Sequence, residues 1–256
     1  LGFRVGSRMT ETLTESQIRL WGWRLPFLAG ALVAVTGYLV RRSLQVEMPM
    51  GDSTQPVIDT FGKHRGSVLR VALLNIGFGV GFYAVFVYAV TYIKRIDQLS
   101  TEIAFNLNTA SMAILLLVLP LTAWLSDRFG RKPLLIVSFA LLTFSAVPLF
   151  HLIHATHPIV IFLGELGFVL AIGLISGGVV AANVELIPAT VRCTGLAFAY
   201  NASIGWFGGT TPMIAAWLIA ATGNPITPAY WIAATGLISL LSAIFLVRET
   251  RFEPLT

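Results

Sequence analysis

The stretch Ser126-Asp127-Arg128-Phe129-Gly130-Arg131-Lys132-Pro133 places four charged side chains between two long apolar runs, 103–125 and 134–153. Gly130 suits a tight turn. Arg131 presents a planar fork that matches a carboxylate, and Asp127 stands where a helix end would let it accept from backbone or guanidinium donors. Outward from this turn the chain repeats the same alternation of long apolar runs and short charged connections. Seven runs are near the roughly 20 residues needed to cross a hydrocarbon core of about 30 Å: 25–40, 68–92, 103–125, 134–153, 159–182, 195–221 and 229–247. Each is expected to be helical, since an unpaired backbone amide in lipid costs several kcal/mol. Gly77, Gly79, Gly81, Gly177, Gly178, Gly208, Gly209 and Pro212 interrupt these runs, as small residues and proline do where membrane helices pack or bend.

Composition agrees. The 256 residues are 56% hydrophobic and 11% charged, with mean hydropathy +0.80. A soluble domain carries about 25% charged residues, so soluble enzymes, nucleic-acid binders and disordered linkers are excluded. The net charge of +5 sits in connections rather than in one basic face, so it does not mark a nucleic-acid partner. A single cysteine, Cys193, excludes an internal disulfide and a cysteine metal cage. Leu1 is not an initiator methionine and no signal peptide opens the chain, so it reads as a fragment or a processed product.

Loop charge sets an expected orientation. Arg41, Arg42, Lys63, Arg65, Arg128, Arg131, Lys132, Arg192, Arg248 and Arg251 fall on one side, with Arg70 at a helix entry; the opposite loops after the first span hold Lys94 and Arg95. The positive-inside rule makes the first side cytoplasmic and the C-terminus internal. Residues 1–24, with Arg4, Arg8, Arg19 and Arg24, then fall outside, a mild violation that helices missing from the count would explain. The expected organisation is an external loop and last helix of one bundle (1–40), a cytoplasmic linker (41–67), a six-helix bundle (68–247) and a cytoplasmic tail (248–256).

The Ser126–Pro133 stretch resembles the D-R-x-G-R-[RK] signature of the major facilitator superfamily, which joins the second and third helices of each six-helix half. WGWRLPFLAG (21–30), RRSL (41–44), VELIPATVRCTGLAFAYN (184–201), FGGTTPMIAAWLI (207–219) and PAYWIAATG (228–236) resemble, in order, the sixth helix and the tenth-to-twelfth-helix region of its metabolite–proton symporter family. That family includes proline/betaine, α-ketoglutarate, citrate and shikimate transporters. Ile187 and Cys193 depart from the family pattern. The resemblance implies an all-α membrane protein of twelve helices, of which this chain holds helix six and the C-terminal six-helix bundle. It also implies symport of a small organic acid or zwitterionic osmolyte with protons, in the inner (plasma) membrane, without cofactor or metal. The other half of the transporter would be an N-terminal bundle of the same polypeptide.

Asp127, Arg128, Gly130, Arg131, Glu185 and Arg192 form the expected cytoplasmic gate motif, with headgroup anchoring as the alternative. Glu165, an acid well inside a span, is the candidate for proton coupling; reaching the outer headgroups is the alternative. Asn75, Tyr83, Asn108, Asn201 and Trp206 are substrate-cavity candidates, with helix packing as the competing role. Asn201, Gly205, Gly208 and Pro212 recur at helical spacing, and Asn75, Gly79, Phe82 and Phe86 do likewise. His151, His154 and His157 cluster at one helix end with no acidic companion, so a solvated loop is expected rather than a metal site. A seven-helix receptor or sensor competes with the transporter, although the last run has no lysine for a retinal Schiff base. A membrane-embedded enzyme finds no nucleophile–base pair or paired carboxylates within a span.

Overall fold

The computed structural model describes residues 14–43 and 55–251, and the chain divides into two units, 1–50 and 51–256. In the first unit, α1 (Glu15–Leu20) starts at Thr14, whose backbone N–H donates to Gln17 Oε1 at 3.0 Å. A 3-10 turn, Gly22–Arg24, leads into α2 (Leu25–Ser43), which contains the first expected span. Residues 1–13 of the expected external loop lie outside the described residues.

The second unit opens with α3 (Pro56–Gly62), started by a proline at its first turn. This helix lies within the expected linker of 41–67, and the next helix starts inside its end at Arg65; its residues 44–54 lie outside the described residues. Phe61 of α3 meets Phe198 edge-on, ring centroids 4.8 Å apart. The long helices follow. The first is α4 (Arg65–Tyr83), a π-helical segment Ala84–Tyr88 and α5 (Ala89–Arg95) in one run. Next come α6 (Thr101–Phe129), α7 (Arg131–Ile153) and α8 (Pro158–Glu185). After a 3-10 turn, α9 (Arg192–Ala202), a second π-helical segment Ser203–Gly208 and α10 (Gly209–Thr222) form another run, and α11 (Thr227–Phe245) closes the bundle. No strand occurs among the described residues.

Six of these runs are long and apolar enough to cross a membrane: Arg65–Arg95, Thr101–Phe129, Arg131–Ile153, Pro158–Glu185, Ala189–Thr222 and Thr227–Phe245. Helix α8 packs against α6 and α7, and α11 against α7 and α4. Phe139, Phe150, Phe168, Leu142, Ile172, Ile175 and Tyr92 fill the interior between them. The outer faces are apolar too: Leu117, Phe144 and Phe245 are each about three-quarters exposed, at 77%, 74% and 75%. Water would oppose so much exposed apolar surface, while lipid tails accept it.

Two sequence expectations need correction. The Ser126–Pro133 stretch is not an eight-residue loop: α6 runs to Phe129 and α7 starts at Arg131, leaving Gly130 as the whole connection. The stripe Asn201–Gly205–Gly208–Pro212 is not one face, because the π-helical segment changes the residues per turn inside it. Asn201 and Gly205 are exposed, whereas Gly208 is buried. A Cβ on Gly208 would stand 3.2 Å from the backbone of Gly79, so small residues let the two π-containing runs cross closely.

Candidate functional site

At the Gly130 end of the bundle, the Arg131 guanidinium of α7 joins the ends of α6 and α8. Arg131 Nη1 donates to Asp127 Oδ1 at 2.6 Å, one helical turn back across the turn. Its Nε and Nη2 both donate to Glu185 Oε1, at the last residue of α8, at 3.3 Å each. The same Nη1 reaches Ser126 Oγ at 3.4 Å. The Arg131 and Glu185 side chains are 12% and 16% exposed and Asp127 is 69% exposed, so the Glu185 contact is the drier of the two pairs.

The segment after α11 completes the cluster. Thr250 Oγ1 donates to Glu185 Oε2. Glu249 Oε1 accepts from the backbone N–H of Arg131, Thr250 and Arg251, each at 3.0 Å, and its Oε2 accepts from Lys132 N at 3.1 Å. Glu249 thereby caps the open amides at the start of α7, where the helix dipole also favours a negative charge. Partial burial opposes its charge, but the donating amides of Arg131, Arg251, Lys132 and Thr250 outweigh that and hold the carboxyl below the usual carboxylate range. Gly130 has φ +103, and a Cβ there would lie 2.5 Å from Glu249 Oε2. Both facts call for glycine.

Of the residues expected in this motif, the structure brings together Asp127, Gly130, Arg131 and Glu185. Arg128 is exposed and lies over the rings of Trp124 and Phe129 at 5.2 and 5.8 Å. Arg192 Nε donates to the Ile187 carbonyl at 3.1 Å. Glu249 and Thr250 escaped the sequence reading: they are 118 residues from Arg131 and 65 from Glu185, and no local spacing announces them.

Beside this cluster a cavity of about 740 Å³ opens between α4, α6 and α8. Phe78, Phe82, Leu115, Val180 and Tyr200 wall it, and Asp127 and Glu185 line it as well. The five substrate-cavity candidates do not line it. Asn75 is fully buried and exchanges hydrogen bonds with Asn183 of α8, at 2.9 Å and 3.3 Å, while its Nδ2 also reaches the Val71 carbonyl at 2.7 Å. Tyr83 is half-buried beside Gly208. Asn108 donates to the Phe86 carbonyl in the first π-helical segment at 3.3 Å. Asn201 is exposed and donates to the Ala197 carbonyl at 2.7 Å, and Trp206 is exposed.

Glu165, fully buried in α8, accepts from Ser111 Oγ of α6 at 2.5 Å through Oε2. Its Oε1 is buried without a hydrogen-bond partner among the described residues. The headgroup-reaching alternative does not describe this side chain, which points into the bundle. The histidine expectation needs correction: His154 has an acidic companion, Asp97, 2.6 Å away and brought from the connection before α6. No group of three or more His, Cys, Asp or Glu side chains arranged for a metal occurs among the described residues.

Helices of membrane-crossing length with a guanidinium–carboxylate cluster at a one-residue turn define a polytopic helical membrane protein. The family model of the Major Facilitator Superfamily matches residues 17–211, and the chain belongs to that superfamily. It is 30% identical to the glycine betaine/proline/ectoine/pipecolic acid transporter OusA of Dickeya dadantii, over 100% of this chain and 54% of that protein. It is likewise 30% identical to the citrate-proton symporter of Klebsiella pneumoniae, over 96% of this chain and 57% of that protein. The crystal structure of a double-tryptophan mutant of XylE aligns with a TM-score of 0.75 at 22% identity, covering 99% of this chain and 62% of that one, a likeness of fold. The chain thus spans about half the length of the curated relatives it matches. These relatives are a transporter and a symporter by name, and they lend the receptor reading no support.

Proposed function

We propose that the protein is a proton-coupled secondary transporter of the inner membrane, moving a small organic acid or zwitterionic osmolyte by alternating access. In this reading residues 25–40 form a seventh span, the last helix of a first bundle. Residues 1–40, 41–67, 68–247 and 248–256 serve as loop and helix, linker, second bundle and cytoplasmic tail. The Gly130 end faces the cytoplasm. The partners are the bilayer, the solute, protons and a first six-helix bundle of the same polypeptide.

The observation that carries this reading is the Arg131 cluster beside the cavity. It ties the ends of α6, α7 and α8 and the segment after α11 through contacts that a rocking bundle can break and remake. Held, it favours one state; released, it lets the cavity between α4, α6 and α8 open toward the cytoplasm. Glu165 is the proton carrier in this account. An ionised acid among membrane helices costs about 3 kcal/mol, so gaining and losing a proton there changes which packing is favoured. Each inward proton supplies about 2.3 kcal/mol per 100 mV. Tyr83, Asn201 and Trp206 are proposed to meet solute or the first bundle, with Asn75 and Asn108 holding the helices that carry them.

The test is uptake of labelled α-ketoglutarate, citrate, shikimate, proline and betaine by cells expressing the protein, with and without a protonophore. Protonophore-sensitive accumulation of one of these compounds is the expected result. Accumulation of none, from protein shown to be in the membrane, would overturn the symport assignment.

A further inference from the structure

The far end of the bundle holds a second ionic contact that the transport reading does not use. After α5 the chain turns sharply: Ile96 N donates to the Tyr92 carbonyl at 2.8 Å, and Gln98, with φ +55, sends the chain back so that Leu99 N reaches the Ile93 carbonyl at 3.3 Å. This turn aims Asp97 inward, and its side chain is 3% exposed. There Asp97 Oδ1 meets His154 Nδ1 at 2.6 Å, directly past the end of α7. Asp97 Oδ2 is buried with no hydrogen-bond partner among the described residues. The His154 ring also lies edge-on to Tyr92, centroids 5.8 Å apart, and the Tyr92 hydroxyl donates to the Pro225 carbonyl at 3.1 Å. Three connections, around residues 97, 154 and 225, are therefore fastened through one histidine, one carboxylate and one tyrosine.

The charge balance of this knot depends on a single proton. A buried carboxylate with one bare oxygen is tolerated when its partner is a cation and is costly when the partner is neutral. Histidine is the side chain that changes charge between about pH 5 and 8. The other titratable groups at this end are Lys94 and Arg95 at the end of α5, Tyr88 and Tyr92 in the first run, Glu102 at the start of α6, and His151 and His157 flanking His154. His157 accepts from the N–H of Ile159 at 3.3 Å, and His151 is exposed.

We propose that Asp97 and His154 form a proton-operated clasp. It is closed while His154 carries a proton, fastening the α5–α6, α7–α8 and α10–α11 connections together, and it loosens when that proton leaves. Burial keeps the Asp97 carboxyl above its ordinary value, with the His154 contact opposing this only in part, so the carboxylate is under-compensated as it stands. An imidazolium compensates a buried carboxylate with a bare oxygen and a neutral imidazole does not, so the attraction within the pair is lost together with its proton. The clasp therefore weakens toward alkaline pH.

The test is thermal melting of the detergent-solubilised protein between pH 6 and pH 8.5, for wild type, His154→Gln, Asp97→Asn and His151→Gln. The expected result is a wild-type melting temperature that falls by about 3 °C or more across this range. The fall should be at least halved in His154→Gln and in Asp97→Asn, and retained in His151→Gln. Asp97→Asn keeps the shape of the side chain and removes the buried charge, so it reads the clasp even if His154→Gln does not fold. Equal pH dependence in wild type and Asp97→Asn would overturn the proposal. The measurement involves no transport, so it stands or falls apart from the transport reading.

Discussion

Gly130 and Glu249 are a matched pair: the carboxylate occupies the space that any side chain at 130 would fill. Gly130→Ala is expected to destabilise the bundle by about 1–2 kcal/mol, from the left-handed backbone and the displaced cap together. Glu249→Ala removes the cap alone and should cost about 1 kcal/mol. The two losses should overlap strongly in the double variant, because both act through the same four amides; chemical denaturation in detergent reads all three. Glu249 also gives an acid limb. Its folded carboxyl lies below its ordinary value, so its contribution is present at neutral pH and is lost as pH falls through the folded value. Glu249→Ala should flatten that limb of the stability profile. The Arg131 fork and the Gly130 turn were readable in Ser126–Pro133 because their partners are local or their conformational needs are special. Glu249, Thr250, Ser111 and Asn183 were not, since a buried partner across the bundle leaves no mark in local spacing.

Helices α4 and α8 are joined by the reciprocal amide pair of Asn75 and Asn183. Neither amide meets water, so truncating one leaves the other with an unmade bond. Asn75→Ala and Asn183→Ala should each cost about 1–3 kcal/mol, and the double variant less than the sum, as a double-mutant cycle on melting would read. Additive losses would mean that the two amides act independently. The helices were legible as elements because apolar length dictates a membrane helix almost by itself. Their facing was not. Periodicity put Asn201 and Gly208 on one stripe, but the π-helical segment Ser203–Gly208 rotates the chain between them, and sequence spacing cannot register that extra residue. The His151–His154–His157 cluster misled for the opposite reason: Asp97 is near in space and 57 residues away in sequence.

The whole bundle has two differently built ends. One carries Arg131 with Asp127 and Glu185, strapped by the segment after α11; the other carries Asp97 with His154. Between them lies Glu165, with one oxygen held by Ser111 and the other bare. An alternating-access cycle needs contacts of this kind, strong enough to define a state and weak enough to break within it. Arg131→Ala should therefore shift the balance of states rather than abolish folding. The expected outcome is faster labelling of Cys193, an exposed cysteine in α9, by a membrane-impermeant thiol reagent applied from the cytoplasmic side of inverted vesicles. Unchanged labelling would detach the cluster from gating.

Proton coupling through Glu165 is tested most directly by recording proton movement with a pH-sensitive dye in proteoliposomes of the purified protein, as a transported solute is added outside. Wild type is expected to carry protons inward with the solute, and Glu165→Gln to exchange solute across the membrane with proton movement reduced at least tenfold. Solute entry in the wild type without proton movement, or undiminished proton movement in Glu165→Gln, would contradict it.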